Sequence, residues 1–383
     1  MSGEENLVFG FDLSDTLNSY VGEPTENLTI DTPSQSGWQG TYSVVDSSTK
    51  TFLITTQQNT ASIGSAWRTF YWSVSSYIGS YITISADVEF ISQTNCTFRD
   101  ITIGQGNTGQ YPTHITGSDA LDKVVNSNKP VDKTRMTWSG VINATGLVGF
   151  TYWINNVTVD GANSVLKISN VQIESKPHDT PFVNGTRSAT EGLVDLTGNN
   201  TIDLTNVSFN NDAQMVFDGT DDYMNVNLSL NSGNFTYETV MSANSTTYPI
   251  FGAGYGTAGT TIQSFITSSG ALINLYGPIG ALGQWVYGSY SNLNGYVSVT
   301  NQLRHIIVTN NGTTWQTYVD GQLVGNVTFY QPTTGTDVGI GRVAMQSPSN
   351  ISTVVKMVKL YNRVLTSTEV LNNYNNIKRK YGI

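Results

Sequence analysis

VLKISNVQIESKPHDTPFVNGTRSATEGLVDLTG, residues 165–198, joins two kinds of sequence. It opens with apolar and polar residues in alternation, the signature of a strand that covers a core on one side. From Lys176 the pattern breaks into Pro, Asp, Asn, Gly and Thr, the residues that punctuate turns. A new run, LVDLTGNNTIDLTN, begins at Leu193. The stretch reads as a seam: a strand finishing one sandwich, an irregular outgoing segment, and the start of a second block of strands.

Upstream of the seam, about Gly22 to Phe182, the same grammar recurs. In YITISADVEF (81–90), alternation places Ile82, Ile84, Ala86, Val88 and Phe90 on one face. RDITIG (99–104) and GLVGFTYWINNVTVD (146–160) are further strands, separated by the long polar loop 107–134. Downstream, AQMVFDGTDDYMNVN (213–227) reads as strand, turn and strand, and RHIIVTNNGTTWQTYVDGQLVG (304–325) as a pair of hairpins turning at Asn-Gly and Asp-Gly. The one helix comes last: Thr366 and Glu369 form a capping box, and Val370, Leu371, Tyr374 and Ile377 make an apolar stripe.

A chain of 383 residues is long enough for two cores. With charged residues at only 12%, and Gly, Ser, Thr and Asn filling their place, the expectation is an all-β protein of two β-sandwich, jelly-roll domains with a short C-terminal helix. A net charge of -10 argues against nucleic acid and against an anionic membrane as partner, since both require clustered Lys and Arg. The basic run Lys378–Lys380 suits the last turn of the helix. A single cysteine, Cys96, excludes an intrachain disulfide framework. The opening MSGEENLVFGFDL lacks the pattern of a signal peptide, so the expected location is the cytoplasm of the producing cell. The many N-x-S/T sequons then read as a by-product of turn composition.

No pattern for catalysis emerges, and the expectation is a non-enzyme. The E-x-D-x-E and E-x-D-x-x-E arrangements that pair carboxylates across a glycosidic bond are absent. Asp87 and Glu89 share the polar face of one strand, which reads as a solvated sheet face. His114, His178 and His305 are too far apart in sequence for a zinc motif. Asp218, Asp221 and Asp222 in DGTDDY offer either oxygen ligands for calcium, the one cofactor the sequence suggests, or a tight turn capped by its own carboxylates. AWRTFYWSV places Trp67, Thr69 and Tyr71 on one strand face and Arg68, Phe70 and Trp72 on the other; one set is core, the other a glycan platform, an interface or a packed layer. NLYGPIGALGQWVYGSY adds Tyr276, Trp285, Tyr287 and Tyr290 as glycan or interface candidates.

MVFDGTDDYMNV, LRHIIVTNNGTTWQTYVDGQLVG, DVGIGR and VKMVKLYNRVLTSTEVLNNYNNIKRKYGI, in that order, resemble the laminin-G-like branch of the concanavalin-A-like jelly rolls, in the form found in structural proteins of tailed phages and marine viruses. The first block, through AWRTFYWSV and SNVQIESKPHDTPFVNGTR, resembles a galactose-binding or carbohydrate-binding-module sandwich. In single-domain jelly rolls of this kind a stretch like LVFGFDLSDTLNSY passes soon to one like DLTGNNTIDLTN; here the first block lies between them. The resemblance implies residues 1–20 as a strand of the second jelly roll, 21–183 as an inserted sandwich, and 184–383 as the laminin-G-like domain. It implies a virion structural protein exposed on the particle surface, a capsid decoration protein ahead of a head or tail fibre component. Capsid or tail proteins, further copies of the chain and a host-surface glycan are the expected partners. A stand-alone adhesin and a polysaccharide-degrading enzyme are the alternatives.

Overall fold

The computed structural model describes residues 5–29, 33–37, 40–58, 65–106, 123–155, 162–210, 214–218, 222, 224–230, 234–243, 248–253, 262–266, 272–276, 284–286, 289–291, 302–328, 335–340 and 352–383. Its strands pair almost throughout in antiparallel fashion, and one helix, Ser367–Tyr381, closes the chain. Two compact units emerge: a discontinuous one, Met1–Pro24 with Ser188–Ile383, and a continuous one, Thr25–Arg187.

The continuous unit holds two five-stranded sheets. One runs Thr134–Val141, Tyr81–Thr94, Ala162–Glu174, Thr51–Gln58, Gly40–Asp46; the other runs Ser34–Gly37, Ser65–Ser73, Leu147–Asn155, Thr97–Gln105, Lys123–Asn126. Lys123–Asn126, which composition assigns to a loop, is a short edge strand pairing with Ile101–Gly104. Ile82, Ile84, Ala86 and Val88 are buried in a core with Phe70, Trp72, Ile101, Ile103, Phe150 and Ile173, so alternation reads this strand correctly.

Alternation slips in Ala162–Glu174, where the buried apolar residues are Ala162, Leu166, Ile168, Val171 and Ile173. Pairing with Tyr81–Thr94 shifts register between Ser169 and Gln172, and Asn170 takes φ 51°. Asn tolerates the left-handed region better than most residues, and the extra residue of a bulge restores the core face after it. The same slip carries Gln172 and Glu174 to the opposite face, where both are buried. There Glu174 accepts hydrogen bonds from Thr25 Oγ1 at 2.9 Å, Gln172 Nε2 at 3.0 Å, and the Thr180 backbone N and Oγ1 at 2.8 Å each. Asn27 Nδ2 donates to the Val171 and Val183 carbonyls, and Thr25–Glu26 pairs with Thr186–Arg187. The incoming and outgoing chains of this unit are thus fastened side by side, and the seam of the sequence becomes a buried polar clasp. The unit boundaries fall at Pro24/Thr25 and Arg187/Ser188.

In the discontinuous unit an eight-stranded sheet runs Ser208–Phe209, Met215–Asp218, Ser352–Tyr361, Phe235–Ala243, Arg304–Asn310, Thr314–Val319, Gln322–Thr328, with Leu7–Asp12 also paired to Ser352–Tyr361. Phe9 and Phe11 of that first strand are fully buried with Met215, Phe217, Tyr237 and Leu360. A second sheet of seven strands runs Met224–Leu230, Gly335–Ile340, Tyr248–Ala253, Ile262–Ile266, Leu272–Tyr276, Gln284–Val286, Ser289–Ser291.

The C-terminal helix begins at the capping box: Thr366 Oγ1 accepts from the Glu369 backbone N, and the Glu369 side chain accepts from the Thr366 backbone N. It ends at Gly382 in the left-handed conformation, φ 70°. Val370 packs with Ile307, Tyr318 and Tyr361, and Ile377 with Val240 and Met357. Leu371, part of the apolar stripe in sequence, is 44% exposed, because it is one residue past the Val370 line and faces off the sheet.

Candidate functional site

The Ser65–Ser73 strand splits as its alternation requires. Phe70 and Trp72 face the core; Trp72 is 4% exposed and meets Phe52 and Phe150 edge-on at ring separations of 6.1 and 6.3 Å. Trp72 is therefore a core residue and offers no surface to a glycan or a partner. Trp67 and Tyr71 lie on the other face and are half-buried.

Across the sheet, Trp67 is in register with Trp153, and Trp153 with Asp100. The two indoles lie 5.7 Å apart at 34°. Between Trp153 and Ile154 the pairing with Thr97–Gln105 skips a residue, and Arg99 is that bulged position. Bulges re-aim side chains, and here the Arg99 guanidinium lies 4.5 Å from the Trp153 ring centroid. Its Nε pairs with Asp100 Oδ2 at 3.1 Å. A cation over an indole contributes about 0.5–1 kcal/mol at such a site and an exposed ion pair about 0–1 kcal/mol, so their combined effect is to orient Arg99 more than to stabilise the fold. Beside this group the Thr69 and Thr151 hydroxyls hydrogen-bond at 2.9 Å, and Tyr71 stands opposite Gly149. A Cβ on Gly149 would lie 2.0 Å from the Phe70 carbonyl oxygen. Trp153 itself is buried at 7% exposure and Thr69 and Thr151 are fully buried, so the accessible part of this face is the half-buried Trp67 and Tyr71, with the Arg99 guanidinium and the Asp100 carboxylate at its edge. Trp153 and Arg99 are not apparent as candidates in sequence; Trp153 is one aromatic among many, and Arg99 reaches its place only through the bulge.

The remaining candidates are placed as follows. Tyr276 and Trp285 lie on adjacent parallel strands, with Leu275 opposite Trp285; their side chains, and Tyr287 altogether, lie outside the described residues. Asp218 ends a strand opposite Ser352, Asp222 is buried, and Asp221 lies outside the described residues. Among the described residues no group of three His, Cys, Asp or Glu side chains could hold a metal ion. Asp87 is held by Lys133 Nζ at 2.9 Å, Arg135 Nη1 at 3.4 Å and Asn170 Nδ2 at 2.8 Å. Burial alone would raise its pKa, but these cations and the amide outweigh it and hold the carboxyl below its ordinary value. Glu89 pairs with Lys167 at 3.5 Å. The pair is a salt-bridged sheet face.

Sequence reasoning also missed a buried polar group beneath the C-terminal helix. Glu238 accepts from His305 Nε2 at 2.8 Å, Tyr361 Oη at 3.0 Å and Asn373 Nδ2 at 3.1 Å, while His305 stacks on Tyr374. The only signal was a carboxylate inside the alternating run FTYETVMSA. Its surroundings are filled by protein, which makes it a structural clamp.

Sialidase from Trypanosoma rangeli is similar in structure at 18% identity, with a TM-score of 0.39 over 49% of this chain and 31% of the sialidase. The same enzyme in complex with sialic acid gives 14% identity and a TM-score of 0.41, over 60% and 43%. The botulinum neurotoxin type G receptor binding domain gives 15% and 0.35, over half of each chain. The chain thus spans about a third of the sialidase's length. No curated protein sequence matches. Residues 218–371 match the Laminin_G_3 family model, described as the concanavalin A-like lectin/glucanases superfamily, so the discontinuous unit carries a concanavalin A-like β-sandwich domain.

Proposed function

We propose that this protein binds carbohydrate without cleaving it, through a surface on the continuous unit. The observation that carries this reading is the half-buried Trp67, backed by the buried Trp153, with the Arg99–Asp100 ion pair on the far side of Trp153. A sugar offers an apolar C–H face and a rim of hydroxyls; an indole takes the first, and a fixed donor with an adjacent acceptor takes the second. The lectin/glucanase description of the second unit's family is consistent with the same ligand class. A non-cleaving reading is supported by Asp87 and Glu89: both are ion-paired, and a carboxyl held below its ordinary pKa is unsuited to the general-acid half of a glycosidase pair.

The biological setting we propose rests on the sequence resemblance alone: the exterior of a tailed-phage virion, as a capsid decoration protein ahead of a fibre component, contacting capsid or tail subunits and host glycans. A glycan array probed with the purified chain tests the binding reading, with polysaccharide hydrolysis assayed alongside. Retention of defined glycans with no reducing ends released is the expected result; a chain that retains none of them contradicts the reading. Cryo-EM of purified virions tests the setting, which predicts sandwich-shaped density on the shell.

A further inference from the structure

The Trp67, Arg99 and Asp100 group has a charge pattern that narrows its ligand. Resting on the carbohydrate-binding reading, we propose that this site takes neutral sugars carrying vicinal hydroxyls, and discriminates against uronic and sialic acids.

Three features lead there. Asp100 Oδ2 sits 3.1 Å from Arg99 Nε, so the positive charge is already compensated at the site. A sugar carboxylate would gain little net attraction from Arg99 and would meet Asp100 of like charge. A neutral vicinal diol fits better, because each hydroxyl both donates and accepts: one can accept from the guanidinium edge while its neighbour donates to the carboxylate. Finally, Arg99 is immobilised before any ligand arrives, by the Trp153 ring on one side and by Asp100 on the other. A fork held in place loses little rotamer freedom on binding, which favours discrimination between hydroxyl patterns. Trp67, half-buried and 5.7 Å from Trp153, supplies the stacking surface.

The test is isothermal titration of the full chain with a neutral oligosaccharide retained on the array and with its uronic-acid counterpart. Wild type is expected to bind the neutral ligand at least about tenfold more tightly. Trp67→Ala is expected to weaken it by about tenfold or more and Trp67→Phe to restore most of that, with circular dichroism confirming that both fold. Asp100→Asn leaves Arg99 uncompensated and is expected to shift the preference toward the uronic acid. Tighter binding of the acidic sugar by wild type, or unchanged binding in Trp67→Ala and Asp100→Asn, overturns the proposal while leaving carbohydrate binding in place. A chain that retains no glycan overturns both.

Discussion

Glu238 is a carboxylate in the protein interior whose partners arrive from three other elements: His305, Tyr361 and Asn373. Burial pushes its pKa up, but the hydrogen bond and charge of His305, the charge of Lys359 and the Tyr361 hydroxyl together hold it below the ordinary 4.5. A group with a depressed folded pKa contributes stability that is fully present above its unfolded pKa and is lost as pH falls through the folded value. The discontinuous unit should therefore lose melting temperature as pH drops below about 4.5, and Glu238→Gln should flatten that slope in scanning calorimetry. Glu238→Ala strands the buried His305 and should cost about 3–5 kcal/mol at neutral pH. His305 Nδ1 already lacks a partner among the described residues, so the pair has little redundancy. Such long-range polar groups were invisible in sequence, since nothing local says that a charged residue in a strand will be covered by a helix from the chain's far end. Asn95 and Asn206 are the contrary case. Both head sequons, and both adopt positive φ, 54° and 63°, so their composition is accounted for by turn geometry.

At the scale of elements, alternation identified most strands and their buried faces, and the capping box located the helix start. It failed where the period was interrupted: the bulges at Asn170 and Arg99 moved residues between faces, and both coincide with polar groups the sequence did not disclose. The Leu147–Asn155 strand carries a further constraint. Gly149 lies where its neighbour's backbone leaves no room for a Cβ, the Phe70 carbonyl oxygen being 2.0 Å from the position one would take. Gly149→Ala must separate two central strands and should cost at least about 2 kcal/mol in urea denaturation. It should also weaken any glycan binding at Trp67, the proposed contact, since the Ser65–Ser73 strand carries both residues.

At the scale of the whole molecule, the two units have separate hydrophobic cores, one drawn from within Thr25–Arg187 and the other from the segments on either side. Thr25 lies opposite Arg187 in a two-stranded pair, so the ends of the continuous unit meet. Chain ends that lie close together are what an insertion requires. Residues 25–187 expressed alone are therefore expected to unfold cooperatively with dispersed NMR spectra, and Glu174→Ala, which leaves Thr25 and Thr180 without their acceptor, to weaken that fragment most. An unfolded wild-type fragment would contradict this architecture. The carboxylate that fastens the ends of the continuous unit does not stand out in sequence, because Glu174 follows a bulge that reverses its face.

Carbohydrate binding is proposed for the face carrying Trp67, Arg99 and Asp100. Hydrogen–deuterium exchange on the full chain, with and without the glycan it retains best, tests this most directly. Slowed exchange confined to peptides spanning Ser65–Ser73, Thr97–Gln105 and Leu147–Asn155 is expected. Protection restricted to the discontinuous unit, with these three strands unchanged, would contradict it.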